Sequence, residues 1–575
     1  MYRQVLAFDY DGTLAVDGQV PPALGQALGQ LQQAGFALFL VTGRQFGTVD
    51  LGPLAETFAG IAWENGAVLQ HAAFDELYLP FGHVDNRLVE ALLQANVPLE
   101  QGVAIVATWT PHEATVWRIL SETGSETAVV HNKGALMILP PGTSKGTGLV
   151  HLLELCGYSP RNLVSFGDGE NDLSLFQVSE TGIAVADAVP SLVAAADLVM
   201  SQPGPQGVLE ALQSYWLNGR VPPLSKQHER AIPLGTDEAN KTVTIPGATL
   251  ARSNLGIFGD SGSGKSWVTG LLVEGMHLAG YQVLLLDPEG DFRGLRSLPG
   301  ISVLSGDKVT LPTPTSVVML LEEASNSVVI DLCLYPWADR DAYIADLLHA
   351  LRPLREHKFR PQWIVLEEAQ HFLSPVSNMV STVLTPMLVL GGWALVSYRP
   401  DRLDAQVLAA INHCVVTRLS ETESVQTVQA INHLPSAELL ANTPNGHIWL
   451  CDQRQLRLRS APRRVSHSRH FYKYLDMPLP RPKRFYFHTP QAYLGVEAAS
   501  LFEFKEILCH LPLESLIYHH TRGDFAAWVK GTLGDEVLAS HLEKLSRRKA
   551  LVGEALRQAL LQWVTARYTE LHALR

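Results

Sequence analysis

The sequence predicts an α/β protein of several domains, the last of them mostly helical. Three observations carry that expectation. Apolar runs at residues 5–8, 37–41 and 163–166 each end in acidic or polar residues, as strands of an open α/β sheet do at the edge where ligands bind. A second set of such runs starts at 255–258 and leads into Gly259-Asp260-Ser261-Gly262-Ser263-Gly264-Lys265-Ser266, followed by a helical pattern over 267–280. Beyond residue 500 the pattern is helical almost throughout. A chain of 575 residues exceeds what one core organises, so about two to four domains are expected.

Bulk composition narrows the classes of function. With 46% hydrophobic residues, 18% charged and a mean hydropathy of +0.07, the chain reads as soluble and globular. A formal net charge of −13 argues against a surface that binds nucleic acid all over, because phosphate contacts need clustered Lys and Arg, yet it leaves room for a local basic groove. Cys156, Cys333, Cys414, Cys451 and Cys509 lie far apart with no C-x-x-C spacing, which fits reduced thiols better than disulfides or zinc. No signal-peptide layout and no apolar run of membrane-spanning length are found, so a cytoplasmic location is expected.

The first domain is expected over 1–215. Strand 5–8 delivers Asp9-Tyr10-Asp11-Gly12-Thr13, and alternate side chains of an extended chain share a face, so one carboxylate can attack while the other handles protons. Strand 37–41 ends in Thr42-Gly43-Arg44, whose hydroxyl can hold a phosphoryl oxygen, and Lys145 supplies a positive charge. Strand 163–166 runs into Gly167-Asp168-Gly169-Glu170-Asn171-Asp172, an oxygen-rich cluster suited to Mg²⁺. Each piece alone reads as a turn or a solvated charge; together, in order at strand ends, they resemble the haloacid dehalogenase-like phosphohydrolases over about the first 210 residues. The resemblance implies a Rossmann-like domain with Asp9 as the nucleophile forming an aspartyl-phosphate and Asp11 as general acid/base. It also implies phosphate binding by Thr42 and Lys145, and Mg²⁺ held by Asp168 and Asp172 with Asp9 and Asp11.

Between Thr42 and Lys145 there is room for a cap at about 82–140: helix 86–95, strand 103–108, helix 111–122, and strands 127–131 and 135–139. This resembles the small αβ cap of the sugar-phosphate and phosphoglycolate phosphatase branch, which implies a substrate-selecting role. His131, Asn132 and Lys133 are candidate contacts, with solvated-loop roles as the alternative.

Pro222-Pro223 marks a linker at 216–231, and 232–248 reads as a hairpin. The stretch Gly259 to Ser266 then matches G-x-x-x-x-G-K-[ST] in full, strand before and helix after. Its backbone N–H groups are expected to cradle the phosphates of ATP, Lys265 to reach the β/γ-phosphates and Ser266 to ligate Mg²⁺. Strand 282–286 ends in Asp287-Pro288-Glu289-Gly290-Asp291, whose carboxylates either serve a water or the metal shell, or close a turn. Strand 363–366 runs into Glu367-Glu368-Ala369-Gln370, with Glu367 expected on Mg²⁺ and Glu368 activating the attacking water. With Ser397-Tyr398-Arg399-Pro400 after strand 394–396, this succession resembles the HerA/FtsK-like branch of the RecA-type ATPases over roughly 230–460, within an expected domain at 232–465. Two positions depart from that branch: Glu367 stands where Asp is usual, and Tyr398 where Gln is usual. The resemblance also implies a homo-oligomeric ring in which a neighbour's Arg completes the site, with Arg418 as the candidate.

Residues 454–484 carry Arg457, Arg459, Arg463, Arg464, Arg469, Lys473, Arg481, Lys483 and Arg484, interleaved with Phe471, Tyr472 and Tyr474. Such a run either faces nucleic acid or an acidic partner, or is a solvated linker. The final region, 466–575, is expected to hold a short β piece and helices at 501–508, 524–533, 536–546 and 550–571, with a turn at 519–524. The reading that follows is a bifunctional hydrolase, a Mg²⁺-dependent phosphatase of small phosphorylated substrates coupled to an ATPase. The alternatives are a ring-forming nucleic-acid translocase with an accessory phosphatase, and a nucleotide-gated regulatory module.

Overall fold

The computed structural model describes residues 4–573 except 72–75, 133, 224–229, 306–310, 334, 377, 432–434, 453–454, 466–474, 476–478, 480 and 549–550. The chain forms two compact units. One comprises Met1–Leu284, Pro312–Val328 and Asp341–Pro462; the other comprises Leu285–Leu311, Val329–Arg340 and Arg463–Arg575.

The first unit opens with strands β1 (Val5–Asp9), β2 (Ala37–Val41), β3 (Gly60–Trp63) and β4 (Val68–His71). A cap follows, with β5 (Glu100–Gln101), β6 (Val106–Trp109), β7 (Ala128–Asn132) and β8 (Ala135–Leu139), and then β9 (Leu163–Gly167), β10 (Thr181–Ala184) and β11 (Leu198–Val199). Seven of these form one sheet in the order β11-β10-β9-β1-β2-β3-β4. β1 lies parallel between β2 and β9, with Phe8 in register with both Leu40 and Phe166. All five residues of β1, β2 and β9 are buried, and a strand covered on both faces shows as an unbroken apolar run rather than an alternation. The chain leaves β1 toward one side of the sheet and returns on the other, so a crevice opens at the end of β1, where Asp9 sits.

The cap is a four-stranded antiparallel sheet, β5-β6-β8-β7. Leu88 and Leu92 of helix Asn86–Gln94, and Val116, Ile119 and Leu120 of helix Glu113–Thr123, pack on Val106, Leu136 and Ile138. On the opposite face Ala128, Val130 and Met137 pack against the core of the seven-stranded sheet. The strand expected at 103–108 begins only at Val106, because the amides of 103–105 are spent on Glu64.

Next come β12 (Ala231–Thr236), β13 (Thr242–Pro246), β14 (Asn254–Phe258), β15 (Val283–Asp287), β16 (Ile301–Ser305), β17 (Ser327–Asp331), β18 (Trp363–Leu366), β19 (Trp393–Ser397), β20 (His413–Val416), β21 (His447–Cys451) and β22 (Gln455–Ser460). Strand order runs β13-β12-β22-β21-β20-β14-β19-β18, and β12 and β13 form the expected hairpin. β14 runs parallel between β19 and β20. The antiparallel pair β21–β22 was not anticipated, and it corrects the reading of 454–484 as one linker-like run: Arg457 and Arg459 lie in β22, opposite Trp449 and His447. Leu458 is buried between them, so period-two alternation is what this stretch carries beneath its charge. Arg469, Phe471, Tyr472, Lys473 and Tyr474 lie outside the described residues.

In the second unit, β15, β17 and β16 are neighbours in that order. Its C-terminal part pairs β23 (Phe485–His488) with β24 (Tyr493–Ala498) and packs Phe485, Phe487, Phe504, Phe525 and Trp528 among helices Leu501–His510, Leu513–Arg522, Glu536–Ser546 and Gly553–Ala573. Residues 519–522, expected as a turn, close helix Leu513–Arg522 instead; the turn is Gly523, at φ 74°. His519 and His520 are buried on the inner side of that helix.

Candidate active sites

Asp9 ends β1, and Asp168 follows the end of β9. Lys145 opens helix Lys145–Leu155, whose start is fixed by a reciprocal cap: Ser144 N–H donates to Thr147 Oγ1 at 2.9 Å and Thr147 N–H to Ser144 Oγ at 3.1 Å. From there Lys145 Nζ donates to Asp9 Oδ1 at 2.5 Å and to Asp172 Oδ1 at 2.6 Å. The other Asp172 oxygen accepts the N–H groups of Asp168 (3.0 Å) and Gly169 (2.9 Å). Asp9, Asp168 and Asp172 offer oxygens that all lie within 4.8 Å of one another.

Burial and the Asp172 charge push the Asp9 carboxyl well above the usual carboxylate range, against the pull of Lys145. Burial alone would lower the Lys145 ammonium, but Asp172 and Asp9 outweigh it and raise it, so it stays charged. One ammonium among three carboxylates leaves excess negative charge on hard oxygens in a mostly buried place, and that donor set fits Mg²⁺.

Thr42 is buried, and its Oγ1 accepts the N–H of Arg44 at 3.1 Å. The Arg44 guanidinium forks onto Asp11, Nε to Oδ2 at 2.8 Å and Nη2 to Oδ1 at 2.7 Å. The Asp11 carboxylate thus stands outside the trio of Asp9, Asp168 and Asp172, although Asp9, Asp11, Arg44, Lys145, Asp168 and Asn171 line one cavity of about 710 Å³. In the cap, His131 bonds Glu113 at 3.0 Å and lies in strand β7 rather than a loop; Lys133 is outside the described residues.

Sequence reasoning missed Glu64. Glu64, Asn65 and Gly66 take φ values of 55°, 53° and 90°, an unusual left-handed run that turns the chain sharply after β3. The fully buried Glu64 carboxylate accepts the N–H groups of Val103 (2.8 Å), Ala104 (2.9 Å), Ile105 (3.2 Å) and Phe46 (3.3 Å), tying the cap to the core. Asn65 Oδ1 accepts from Asn171 at 3.2 Å. Glu-Asn-Gly directly after an apolar strand was the available signal.

The phosphate loop leaves β14, and Gly264 sits at φ 106°, which an L side chain rarely adopts. Ser263 Oγ meets Thr417 Oγ1 at 2.6 Å, and Asp260 N–H donates to Arg418 O at 2.7 Å, bracing the loop from the β20 side. Lys265 Nζ donates to Asp260 O at 3.0 Å, and the Tyr398 ring centroid is 5.8 Å from it. Arg418, the candidate for a neighbour's site, has its Nε 3.8 Å from Asp260 of its own loop. Glu367 is buried at the end of β18, and Glu368 follows at φ 54°. In the second unit Asp287 accepts the N–H groups of Glu289 (3.1 Å), Gly290 (2.8 Å) and Phe292 (3.0 Å), so this carboxylate closes a turn.

The model of haloacid dehalogenase-like hydrolases matches residues 6–105 and 103–212, that of the helicase HerA central domain matches 232–387, and one described as a family of unknown function matches 482–575. Phosphoglycolate phosphatase of Natronomonas pharaonis is 30% identical over 222 residues, covering 36% of this chain and 95% of its own. Phosphoglycolate phosphatase 2 of Saccharolobus solfataricus is 28% identical over 215 residues, covering 36% of this chain and 90% of its own. A solved haloacid dehalogenase-like hydrolase from Bacteroides thetaiotaomicron aligns with 37% of this chain and 99% of its own, at 21% identity and a TM-score of 0.33. Over its first 212 residues the chain belongs to the haloacid dehalogenase-like hydrolases. It is a phosphoric monoester hydrolase that carries a HerA-type ATPase domain in the same polypeptide. Among the described residues no helix is long and apolar enough to cross a membrane.

Proposed function

We propose that the first domain hydrolyses small phosphate monoesters through an aspartyl-phosphate on Asp9, and that the nucleotide state of the second domain controls its rate. The observation that carries the first part is Lys145 bonded at once to Asp9 and Asp172 with Asp168 alongside. An oxygen of Asp9 attacks phosphorus, the ester P–O bond breaks, and Asp11, released from the Arg44 fork and carrying a proton, gives that proton to the leaving oxygen. Water then attacks phosphorus, Asp11 takes its proton, the bond from phosphorus to the Asp9 oxygen breaks, and inorganic phosphate leaves with the Asp9 carboxylate restored. Thr42 and Lys145 hold the phosphoryl oxygens, and Asp9, Asp168 and Asp172 would hold Mg²⁺, which when bound neutralises charge developing on the phosphoryl group. Phosphoglycolate, the ester named for the relatives, is the first substrate to test.

In the second domain Gly259 to Ser266 would cradle ATP, Ser266 and Glu367 its Mg²⁺, and Glu368 would accept the proton of the attacking water. Control across the domains is supported by where two strands begin. Asn162, just before β9, donates to Phe359 O at 2.7 Å; Lys358 donates to Cys156 O and Arg360 to Gly157 O, both at 2.8 Å. β9 is followed directly by Asp168, while the 358–360 segment leads through Gln362 into β18, which is followed directly by Glu367 and Glu368. A shift of either strand along its axis is passed to the other through this shared footing.

The test separates the sites. Asp9→Asn is expected to abolish phosphate release from an aryl phosphate and leave ATP turnover intact, and Lys265→Ala to do the reverse. Phosphate release is expected to respond to a non-hydrolysable ATP analogue, and Asn162→Ala with Lys358→Ala to remove the response while both basal rates persist. Loss of both activities in Asp9→Asn would refute two independent centres.

A further inference from the structure

Three strands bring the ATPase chemistry to one edge. Phe258, the last residue of β14 before the phosphate loop, is in register with Ser397 at the end of β19, and β19 pairs in turn with β18, which leads to Glu367 and Glu368. Between the loop and the acid lies a chain of hydrogen bonds among mostly buried groups. Arg399 N–H donates to Ser397 Oγ at 3.0 Å, Ser397 Oγ–H donates to Gln370 Oε1 at 2.6 Å, and Gln370 Nε2–H donates to Glu368 Oε2 at 2.5 Å. Ser397 is fully buried and Gln370 nearly so.

The direction of the chain is set by chemistry. The Glu368 carboxylate only accepts, so the NH₂ end of Gln370 faces it and the amide oxygen is left facing Ser397. That oxygen takes the Ser397 proton, and Ser397 Oγ accepts in turn from the Arg399 N–H, which only donates. Every proton in the chain therefore points toward Glu368. Its backbone, at φ 54°, leaves the ordinary strand path, and conformations of that kind persist only where surrounding contacts hold them. At the other end the chain is rooted in the turn that carries Tyr398, against which Lys265 lies.

We infer that Gln370, oriented by Ser397, is a positioning residue for ATP hydrolysis: it holds one oxygen of Glu368 so that the other faces the attacking water. This rests on the reading of Glu368 as the base. It gives a role to the turn at Tyr398, where Ser397 supplies the polar link.

The test uses the full chain, with ATP turnover and fluorescent-nucleotide affinity measured in parallel. Gln370→Ala and Ser397→Ala are expected to lower kcat by about 10- to 100-fold while nucleotide affinity changes by less than about twofold. In a Glu368→Gln background Gln370→Ala is expected to cost almost nothing more, because its partner's function is already gone. Gln370→Glu keeps the shape but removes the donor and presents a carboxylate to a carboxylate, so its turnover is expected to fall at least as far as that of Gln370→Ala. An equal loss from Gln370→Ala in both backgrounds, or a kcat within about twofold of the parent, would overturn the inference. Unchanged turnover in Glu368→Gln alone would instead remove the base, a separate failure visible before the cycle is read.

Discussion

Replacing Glu64 with alanine tests how the cap is held. Its carboxylate takes four backbone N–H groups, two of them at 2.8 and 2.9 Å from consecutive cap residues. Hydrogen bonds to a charged group contribute about 1.5–3 kcal/mol each, and an orphaned buried donor costs about 1–3 kcal/mol. Counting only the two short bonds, and allowing for relief of the carboxylate's own desolvation, Glu64→Ala is expected to weaken cap attachment by roughly 3–6 kcal/mol. At 1.4 kcal/mol per tenfold, the middle of that range corresponds to about a 10³-fold rise in local opening. Hydrogen exchange of the amides at 103–105, followed by mass spectrometry on the full chain, reads this directly, with the amides of β18 as an internal control. Phosphatase KM is expected to rise with the opening while ATP turnover holds. Unchanged protection at 103–105 would show that other contacts fix the cap and that the Glu64 bonds are incidental.

Other outcomes follow from the same geometry. Gly148→Ala places a methyl 2.3 Å from Gly66 Cα and 2.4 Å from its carbonyl oxygen, backbone that cannot step aside, so helix Lys145–Leu155 is expected to shift and phosphate release to fall at least tenfold in a steady-state assay. Chelation by EDTA is expected to stop phosphate release and Mg²⁺ to restore it; full activity without divalent metal would refute the role given to Asp168 and Asp172. In the C-terminal helices, burial lowers His519 and His520 below 6.5, with Asp524 opposing at His519. The unfolded chain then binds more protons than the folded one just below pH 6.5, so stability is expected to fall as pH drops from there toward the lowered values. The hydrogen bond from His488 N–H to His519 Nε2 at 2.8 Å is lost when that nitrogen is protonated, and exchange in helix Leu513–Arg522 measured between pH 7 and 5 checks it.

Much of this was legible because the candidate site residues sit where strands end. β1, β9, β14 and β18 are short and buried on both faces, so each shows as an apolar run, and the residue after the run is the one presented at the sheet edge. That Asp9, Asp168, the phosphate loop and Glu367-Glu368 stand at strand ends was readable for that reason. β22 escaped notice because its charged residues alternate with leucines, and charge dominated the composition of the window. Helix Leu513–Arg522 was hidden by a His-His-Thr-Arg end that resembles a turn in composition.

The sequence by itself determined which residue types stand at the strand ends, since burial and periodicity are written locally along the chain. Only the tertiary structure decided their partners. Glu64 meets amides some forty positions later, Arg44 claims Asp11 from another strand, and Gln370 links Glu368 to Ser397 across two strands. Such pairings depend on how the loops close and how sheets stack, and a hydrogen-bonding side chain carries no local mark of which distant donor will reach it.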